Sequence, residues 1–511
     1  MTSIREDERQ LERSPSYDSL FGRDSGQDVG LEELPSLIPQ SPSQATVTNA
    51  AGFEENQETA VNDSPAPPSW LGGDPTCGVA WMYHGLCCYP TWTVEPTIES
   101  VIATLKVAIS PDHEYGVRLL HNGTLSKLYD VSFNNQAFVM RVCLPVCAVT
   151  KTEAEVATLD WVSQYTPLPV PHVRAYDSSR NNPLGYEWLL MTKLEGKPLS
   201  TCWSSVTMGS KERLVKQIAA FSISAFNQPF YEGIGSIFKT DSNSDSRTHG
   251  QRATLDHGRG PLSEVSDWMR SRLRFASLDL TSRLKNATNT NEKETLQRMV
   301  DLTTRIESLM PHFLSSYGKT SSTGSDMEVV LDNGNMKPTI TMLYHDGLSL
   351  DNILVDDDGI LTGVLDWQCI PCLPLHEACQ FPAFLQQAHD RFKEPAGRHY
   401  LVDDSGPPHP AYSRDRKRYE LTELRQFYIK EILHHAPDFV DIWSDEASAS
   451  LRDYEAAIQN CDNEFTIKPV EEWVEAMEQG RHPTQVPKRL HELLAEYDLG
   501  KRLFDETLQE Q

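Results

Sequence analysis

The stretch Tyr344-His345-Asp346-Gly347-Leu348-Ser349-Leu350-Asp351-Asn352-Ile353-Leu354-Val355 runs through Asp356-Asp357-Asp358-Gly359 into Ile360-Leu361-Thr362-Gly363-Val364-Leu365-Asp366-Trp367. Its two aliphatic, β-branched runs, Asn352–Val355 and Ile360–Leu365, are separated by an acidic turn that ends on Gly359, where a positive φ is needed. The spacing predicts a β-hairpin. Such a hairpin brings Asn352, at the start of the first strand, close to Asp366, just past the end of the second. Two hard oxygen donors then converge, which suits Mg²⁺, an ion that takes one or two protein ligands and fills its other positions with water and phosphate oxygens. Taken alone, the same residues read equally well as a hairpin whose Asn starts a turn and whose Asp caps a helix.

Working outward, residues 115–194 carry short β-type runs at Val117–Leu120, Leu128–Phe133, Ala137–Leu144 and Glu187–Met191, broken by Asn122-Gly123, Asn134-Asn135 and Asn181-Asn182-Pro183. One helix, Thr152–Tyr165, interrupts them, with Ala154, Ala157, Leu159, Trp161 and Val162 on its apolar face. Beyond Gly196 the period becomes helical: Leu214, Ile218, Phe221 and Ala225 recur at helical spacing, as do Val265, Met269, Leu273, Ala276 and Leu280. Further helices are expected over Glu294–Phe313, Leu421–His434 and Leu490–Leu508. The polar stretches Thr240–Gly260, Lys319–Asn335 and Arg398–Arg418 read as surface loops.

With His345, Asp346, Asn352 and the Asp366-Trp367 pair in place, the chain resembles the aminoglycoside phosphotransferase family, within the protein-kinase-like fold. The closest look is to its fungal branch of unassigned function. Family members carry His-x-Asp-x4-Asn, then a hairpin, then Asp-Trp or Asp-Phe. The resemblance extends through Phe138–Arg141, Glu153–Leu159, Pro169–Pro171, Asn182–Gly185, Leu190–Gly196 and Gly233–Ser236, covering about residues 95–400. It implies an α+β, two-lobed kinase-like fold, with a small antiparallel β N-lobe (71–195) and a mainly helical C-lobe (196–511). It further implies transfer of the γ-phosphoryl of ATP, with Mg²⁺, to a hydroxyl of an unidentified small-molecule acceptor.

Residue by residue, the resemblance puts Arg141 where the family has its phosphate-neutralising lysine, with Glu155 holding it by an ion pair. Arg keeps the charge but is a planar fork rather than a point charge. Asn352 and Asp366 would hold Mg²⁺, Gly123 and Ser126, with Thr124, would cover phosphates, and the hinge Met191–Leu194 would offer backbone groups at Thr192 and Leu194 to adenine. Read from the residues alone, Arg141 is equally an edge-strand surface cation and Glu155 a solvated helix position. The family's general base stands five residues before the Asn, and here that position is Gly347. Asp346, one residue earlier, is the expected substitute base, with Asp351 or a water as alternatives; His345 is expected to brace the metal-binding aspartate from below. The missing carboxylate also supports a rival reading, a pseudokinase-like module that binds nucleotide or a protein without turnover.

Composition sets the outer limits. The net charge of −27 over 511 residues repels phosphate backbones and anionic lipid, which argues against sequence-independent nucleic-acid binding. The longest apolar stretches, Val79–Trp92 and Phe138–Val149, are too short to span a bilayer. Residues 1–70 hold four Arg, no Lys and thirteen acids, so this segment is expected to be a disordered acidic tail, with Ser-Pro steps at Ser14, Ser41 and Ser64. Without a signal or transit peptide pattern, the expected compartment is the cytoplasm or nucleus. Ten cysteines are too few for a disulfide scaffold, and Cys369, Cys372, His376 and Cys379, which could form a zinc cluster, read better as small core residues.

Overall fold

In a computed structural model, the chain is described over residues 78–84, 87–123, 125–239, 246–248, 261–320, 339–386, 390–397, 410–481 and 489–494. Its contacts divide it into two units, Met1–Pro65 and Ala66–Gln511, and every described element belongs to the second. The tail with Ser14, Ser41 and Ser64, and Thr124, lie outside the described residues.

Two strands, β1 (Val79–His84) and β2 (Cys87–Trp92), form an antiparallel hairpin that the sequence reading does not anticipate, and helix α1 (Ile98–Ala108) comes next. Thr97 caps α1 by accepting the Ser100 N–H at 3.2 Å. The next strands build one five-stranded antiparallel sheet: β3 (Gly116–Asn122), β4 (Ser126–Phe133), β5 (Gln136–Cys143), β6 (Val173–Asp177) and β7 (Glu187–Thr192), in the order β3-β4-β5-β7-β6. Asn134 and Asn135, both at positive φ, close the β4–β5 hairpin in two residues, as its right-handed twist requires. Alternation along β4 sends Tyr129, Val131 and Phe133 into a core shared with Val101 and Leu105 of α1.

Helix α2 (Thr150–Tyr165) crosses from β5 to β6. Its Val156, Ala157, Leu159, Trp161 and Val162 enter a second, larger core with Leu189 and Met191 of β7 and with residues of the helical lobe such as Leu214, Ile218 and Tyr428. The chain leaves the sheet through 193–196 and adds the short strand β8 (Lys197–Pro198) to the hairpin ahead. Gly196 sits at φ +114, and a Cβ there would lie 2.5 Å from Thr362 Oγ1 and 2.8 Å from Val355 O. Only glycine fits this crossing.

The remaining chain is mainly helical: α3 (Leu199–Cys202), α4 (Met208–Phe226), β9 (Ile237–Lys239), β10 (Ser246–Thr248), α5 (Val265–Asn286), α6 (Thr290–Thr320), β11 (Thr341–Leu343), β12 (Ile353–Val355), β13 (Leu361–Val364), β14 (Cys372–Pro374), α7 (Leu375–Ala378), α8 (Pro410–His435), α9 (Pro437–Ser444), α10 (Glu446–Asn460) and α11 (Ile467–Glu478). All the apolar positions read from the periods of α4 and α5 are buried. A third core joins α5, α6, α10 and α11. The arrangement is α+β and two-lobed, as the kinase-like reading expects.

Three expected loops are corrected in part: Ser246–Thr248, inside the stretch read as Thr240–Gly260, pairs with β9 as strand β10, and Lys319 and Thr320, read as the start of a loop, end α6. Residues 410–418, read as part of a polar surface loop, form the first turns of α8, with Pro410 at its start. These turns are held by polar pairs, Arg416 Nε to Glu420 Oε1 at 3.1 Å and Arg391 Nη1 to Asp415 Oδ2 at 3.3 Å, so no apolar period announces them before Leu421. At the other end of the chain, helical backbone is described over residues 490–494 of the expected final helix.

Candidate active site

The hairpin forms as its spacing predicts. β12 pairs with β13, Gly359 takes φ +72, and Asp356 Oδ1 accepts the N–H groups of Asp358 (3.0 Å) and Ile360 (2.8 Å), tying the turn. Beyond the ladder, the Leu365 N–H donates to Asn352 O at 2.8 Å, which sets Asn352 beside the residue preceding Asp366. Asn352 Nδ2 donates to Gly347 O at 2.7 Å. A carbonyl can only accept, so this bond fixes the amide's orientation and reserves Oδ1 as an oxygen donor.

Asp366 does not cap a helix. It occupies φ +62, a left-handed conformation that Asp tolerates better than most residues, and its side chain is exposed. The buried His345 braces this corner: its Nε2 donates to Leu365 O at 3.1 Å and its ring meets Trp367 edge-on at 4.7 Å. Burial lowers the His345 pKa, and the carbonyl acceptor requires a proton on Nε2. Trp367 in turn donates Nε1–H to Val364 O at 2.9 Å.

Gly347 does not adopt a left-handed φ, and a Cβ there would stand 3.7 Å from His345 Cε1 and 3.8 Å from Asn352 Nδ2, ordinary contact distances. The loop therefore accepts a Cβ at this position without a clash. Asp346 and Asp351 are exposed on either side of it.

In the sheet, Arg141 lies on β5, the central strand, paired with Leu128 on one side and Leu189 on the other, and it is buried. It is not an edge-strand surface cation. Its guanidinium forms an ion pair with Glu155 of α2, itself only 3% exposed rather than on a solvated face. Sequence and structure thus agree on the partners, while the burial of both exceeds what the sequence suggests. The Cys369 thiol, raised chiefly by desolvation, lies within electrostatic reach of Lys151 and Arg141 from one lobe and Asp366 from the other.

At the β3–β4 turn the Gly123 N–H donates to Ser126 O at 3.0 Å, and a Cβ on Gly123 would meet the same oxygen at 3.0 Å. The turn is therefore tight at both expected phosphate-loop residues. At the hinge the Thr192 N–H donates to His172 O (2.9 Å), and the Lys193 N–H to Ala137 O (3.2 Å). The first of these bonds commits the Thr192 amide, one of the groups expected to face adenine, and leaves its C=O as the group that residue could offer. Leu194 lies against Gly363, where an added Cβ would approach its Cδ1 to 2.3 Å.

The Cys369-x-x-Cys372 segment divides. Cys372, His376 and Cys379 are buried, and His376 Nε2 meets Glu455 Oε1 of α10 at 2.8 Å. Among the described residues no group of three or more His, Cys, Asp or Glu side chains is placed to hold a metal ion.

Similarity to known proteins falls on the same region of the chain. The phosphotransferase enzyme family matches residues 116–376, just over half of the chain, from the first strand of the sheet to the residue that meets Glu455. The chain belongs to this family. Among curated relatives of this phosphotransferase-family chain is a subtelomeric hrmA-associated cluster protein of Aspergillus fumigatus, 27% identical over 49% of this chain and 56% of that protein. An altered inheritance of mitochondria protein 9 of Candida glabrata is 28% identical over 25% of this chain and 24% of that one. The chain thus spans about half the length of the first of these and less of the second. Among solved structures, aminoglycoside phosphotransferase APH(4)-Ia aligns with a TM-score of 0.36 at 13% identity, covering 74% of this chain and 96% of that one. No described helix is long and apolar enough to cross a membrane.

Proposed function

We propose that this phosphotransferase-family member moves the γ-phosphoryl of ATP to a hydroxyl of a small molecule. The observation that carries the reading is a pair of half-sites, Asn352 and Asp366 at the mouth of one hairpin and the buried Arg141–Glu155 pair on the central strand and its helix, with Asp366 and Arg141 both within electrostatic reach of Cys369. The donor set fits Mg²⁺, since Asp366 is an exposed carboxylate and Asn352 presents Oδ1. When bound, that ion would neutralise charge between the β- and γ-phosphates. Arg141 fits a phosphate because its buried Nε–H has no hydrogen-bond partner among the described residues, leaving donor capacity beyond Glu155. Gly123 and Ser126 shape the turn over the phosphates, and Thr192 and Leu194 mark the adenine edge. Asp346 is the general base, reaching the acceptor hydroxyl from beside Gly347. The N-lobe spans 71–195 and the C-lobe, with the acceptor site, 196–511.

The second reading, a nucleotide-binding module without turnover, draws on one observation: the space at the base position is empty of a carboxylate, because Gly347 fills it. Steady-state ATP consumption with Mg²⁺ across a panel of hydroxyl acceptors separates the two. Acceptor-dependent ADP release supports transfer. Thermal stabilisation by MgATP without ADP release supports the second reading, and neither response removes both.

A further inference from the structure

Helix α2 begins in an unusual way. Its N-cap residue, Val149, sits at φ 66, ψ −60, a rare γ-turn geometry closed by the Thr150 N–H donating to Ala148 O at 2.8 Å. A β-branched residue pays a steric penalty there, and Val149 has no side-chain oxygen with which to cap the helix. The helix start is anchored instead by Glu187, on β7. Its Oε1 accepts the Val149 N–H at 2.9 Å and its Oε2 accepts the Thr152 hydroxyl at 2.7 Å. The Glu187 side chain is fully buried.

Register explains why this anchor bears on the site. Arg141 pairs across the sheet with Leu189, and Cys143 with Glu187, so Arg141 and Glu187 point from the same face, on adjacent strands, toward the same helix. Arg141 takes Glu155. Glu187 takes the helix start, where the partial positive charge of the macrodipole favours a carboxylate. Lys151, buried in the first turn and donating Nζ–H to Leu144 O at 3.0 Å, contributes further positive charge near it.

We propose that Glu187 is a positioning residue. By holding Val149 and Thr152 it fixes the rotation of α2 about its axis, and that rotation sets Glu155 against Arg141. The proposal rests on the phosphotransfer reading for its consequence in nucleotide binding, but not for the anchor itself.

The test uses the full chain with Glu187→Leu, which keeps volume and removes both acceptors, and Glu187→Gln, which keeps an acceptor for the Val149 N–H and an amide for the Thr152 hydroxyl. Amide hydrogen exchange over residues 149–155 reads the anchor, and titration with a fluorescent ATP analogue in Mg²⁺ reads the site. Glu187→Leu is expected to strip protection from residues 149–155 and to weaken analogue binding about tenfold, the scale of one lost cap. Glu187→Gln should restore both to within about threefold. In a Glu155→Gln background the Leu substitution should add little further loss, because its effect runs through Glu155. Unchanged protection overturns the anchor, and fully additive losses overturn the positioning role. If Arg141→Ala leaves analogue affinity unchanged, the role given to Arg141 falls, and the anchor is then judged by exchange alone. Should Glu187→Leu not fold, Thr152→Val removes one donor and carries the same comparison.

Discussion

At Asp346 and Gly347 the two readings of the loop make opposite demands. With Asp346 as the base, Asp346→Asn should lower turnover by roughly 10²-fold or more while leaving nucleotide affinity nearly unchanged. Gly347→Asp should fold with an unaltered melting temperature, since its φ is ordinary and its neighbours stand at contact distance. A rise in turnover with Gly347→Asp, alongside a silent Asp346→Asn, would transfer the base to position 347. For Asp366 the useful variant is Asn, which shares the tolerance for a left-handed φ and lacks the charge. Asp366→Asn should keep the melting temperature and abolish the Mg²⁺-dependent part of ATP stabilisation, read by thermal shift with and without the ion. Persistence of that dependence would remove Asp366 from the metal site. The hairpin that sets Asn352 beside Leu365 is legible in the sequence because a hairpin is a local object, made by its turn chemistry and spacing alone. Glu187 is not legible, since a carboxylate at the start of a strand carries no sign that a helix start 35 residues earlier comes to meet it.

Among the elements, the crossing between the lobes depends on Gly196. Gly196→Ala combines a left-handed backbone with backbone and hydroxyl contacts below 3 Å, and should cost on the order of 2 kcal/mol. Urea unfolding checks this, and a loss below a few tenths of a kcal/mol would show that the crossing relaxes. The strands from 116 to 143 are readable because their apolar residues alternate or run in short β-branched blocks between Asn-Gly and Asn-Asn turns. α10 is not, because its buried positions include Arg452, Asp453 and Glu455, so the apolar stripe is broken by charges that are satisfied only in three dimensions. Arg452 donates to His376 O and Trp443 O, and Asp453 accepts from Arg489 and His491. No local pattern encodes such partners.

On the scale of the whole molecule, one cluster, the buried His376 and Glu455 with the half-buried Glu377, couples stability to pH. Shielding from water raises the carboxyls of Glu377, to about 8, and Glu455, to about 7, and the same shielding holds His376 down at about 4, with Arg272 and Arg452 as the cations facing them. For the raised carboxyls, folding takes up protons, so their contribution is complete below an unfolded value near 4.5 and is lost as pH rises through 7 to 8. The depressed His376 works the other way: its contribution is complete above about 6.5 and is lost as pH falls toward 4. Of these three groups, the carboxyls are the ones that change between pH 6.5 and 8.5, and the buried thiols of Cys372, Cys379 and Cys461, raised by desolvation, act in the same direction at its upper end. The melting temperature should fall across that window by a few degrees, and Glu377→Gln should flatten the fall. A melting temperature that rises across the window in the wild-type chain would contradict the burial assigned to the pair.

The left-handed backbone at Asp366 also bears on how such a chain can change over generations. Aspartate codons stand one base from those of asparagine and glycine, and these are the two other residues most at ease at φ +62. A single nucleotide exchange can therefore remove the carboxylate from this corner without disturbing its backbone. Aspartate and glycine, the pair adjoining at 346 and 347, are separated by the same one-base step. Under the roles proposed for Asp366 and Asp346, gain and loss of phosphate chemistry would thus lie along mutational paths that protein folding does not police.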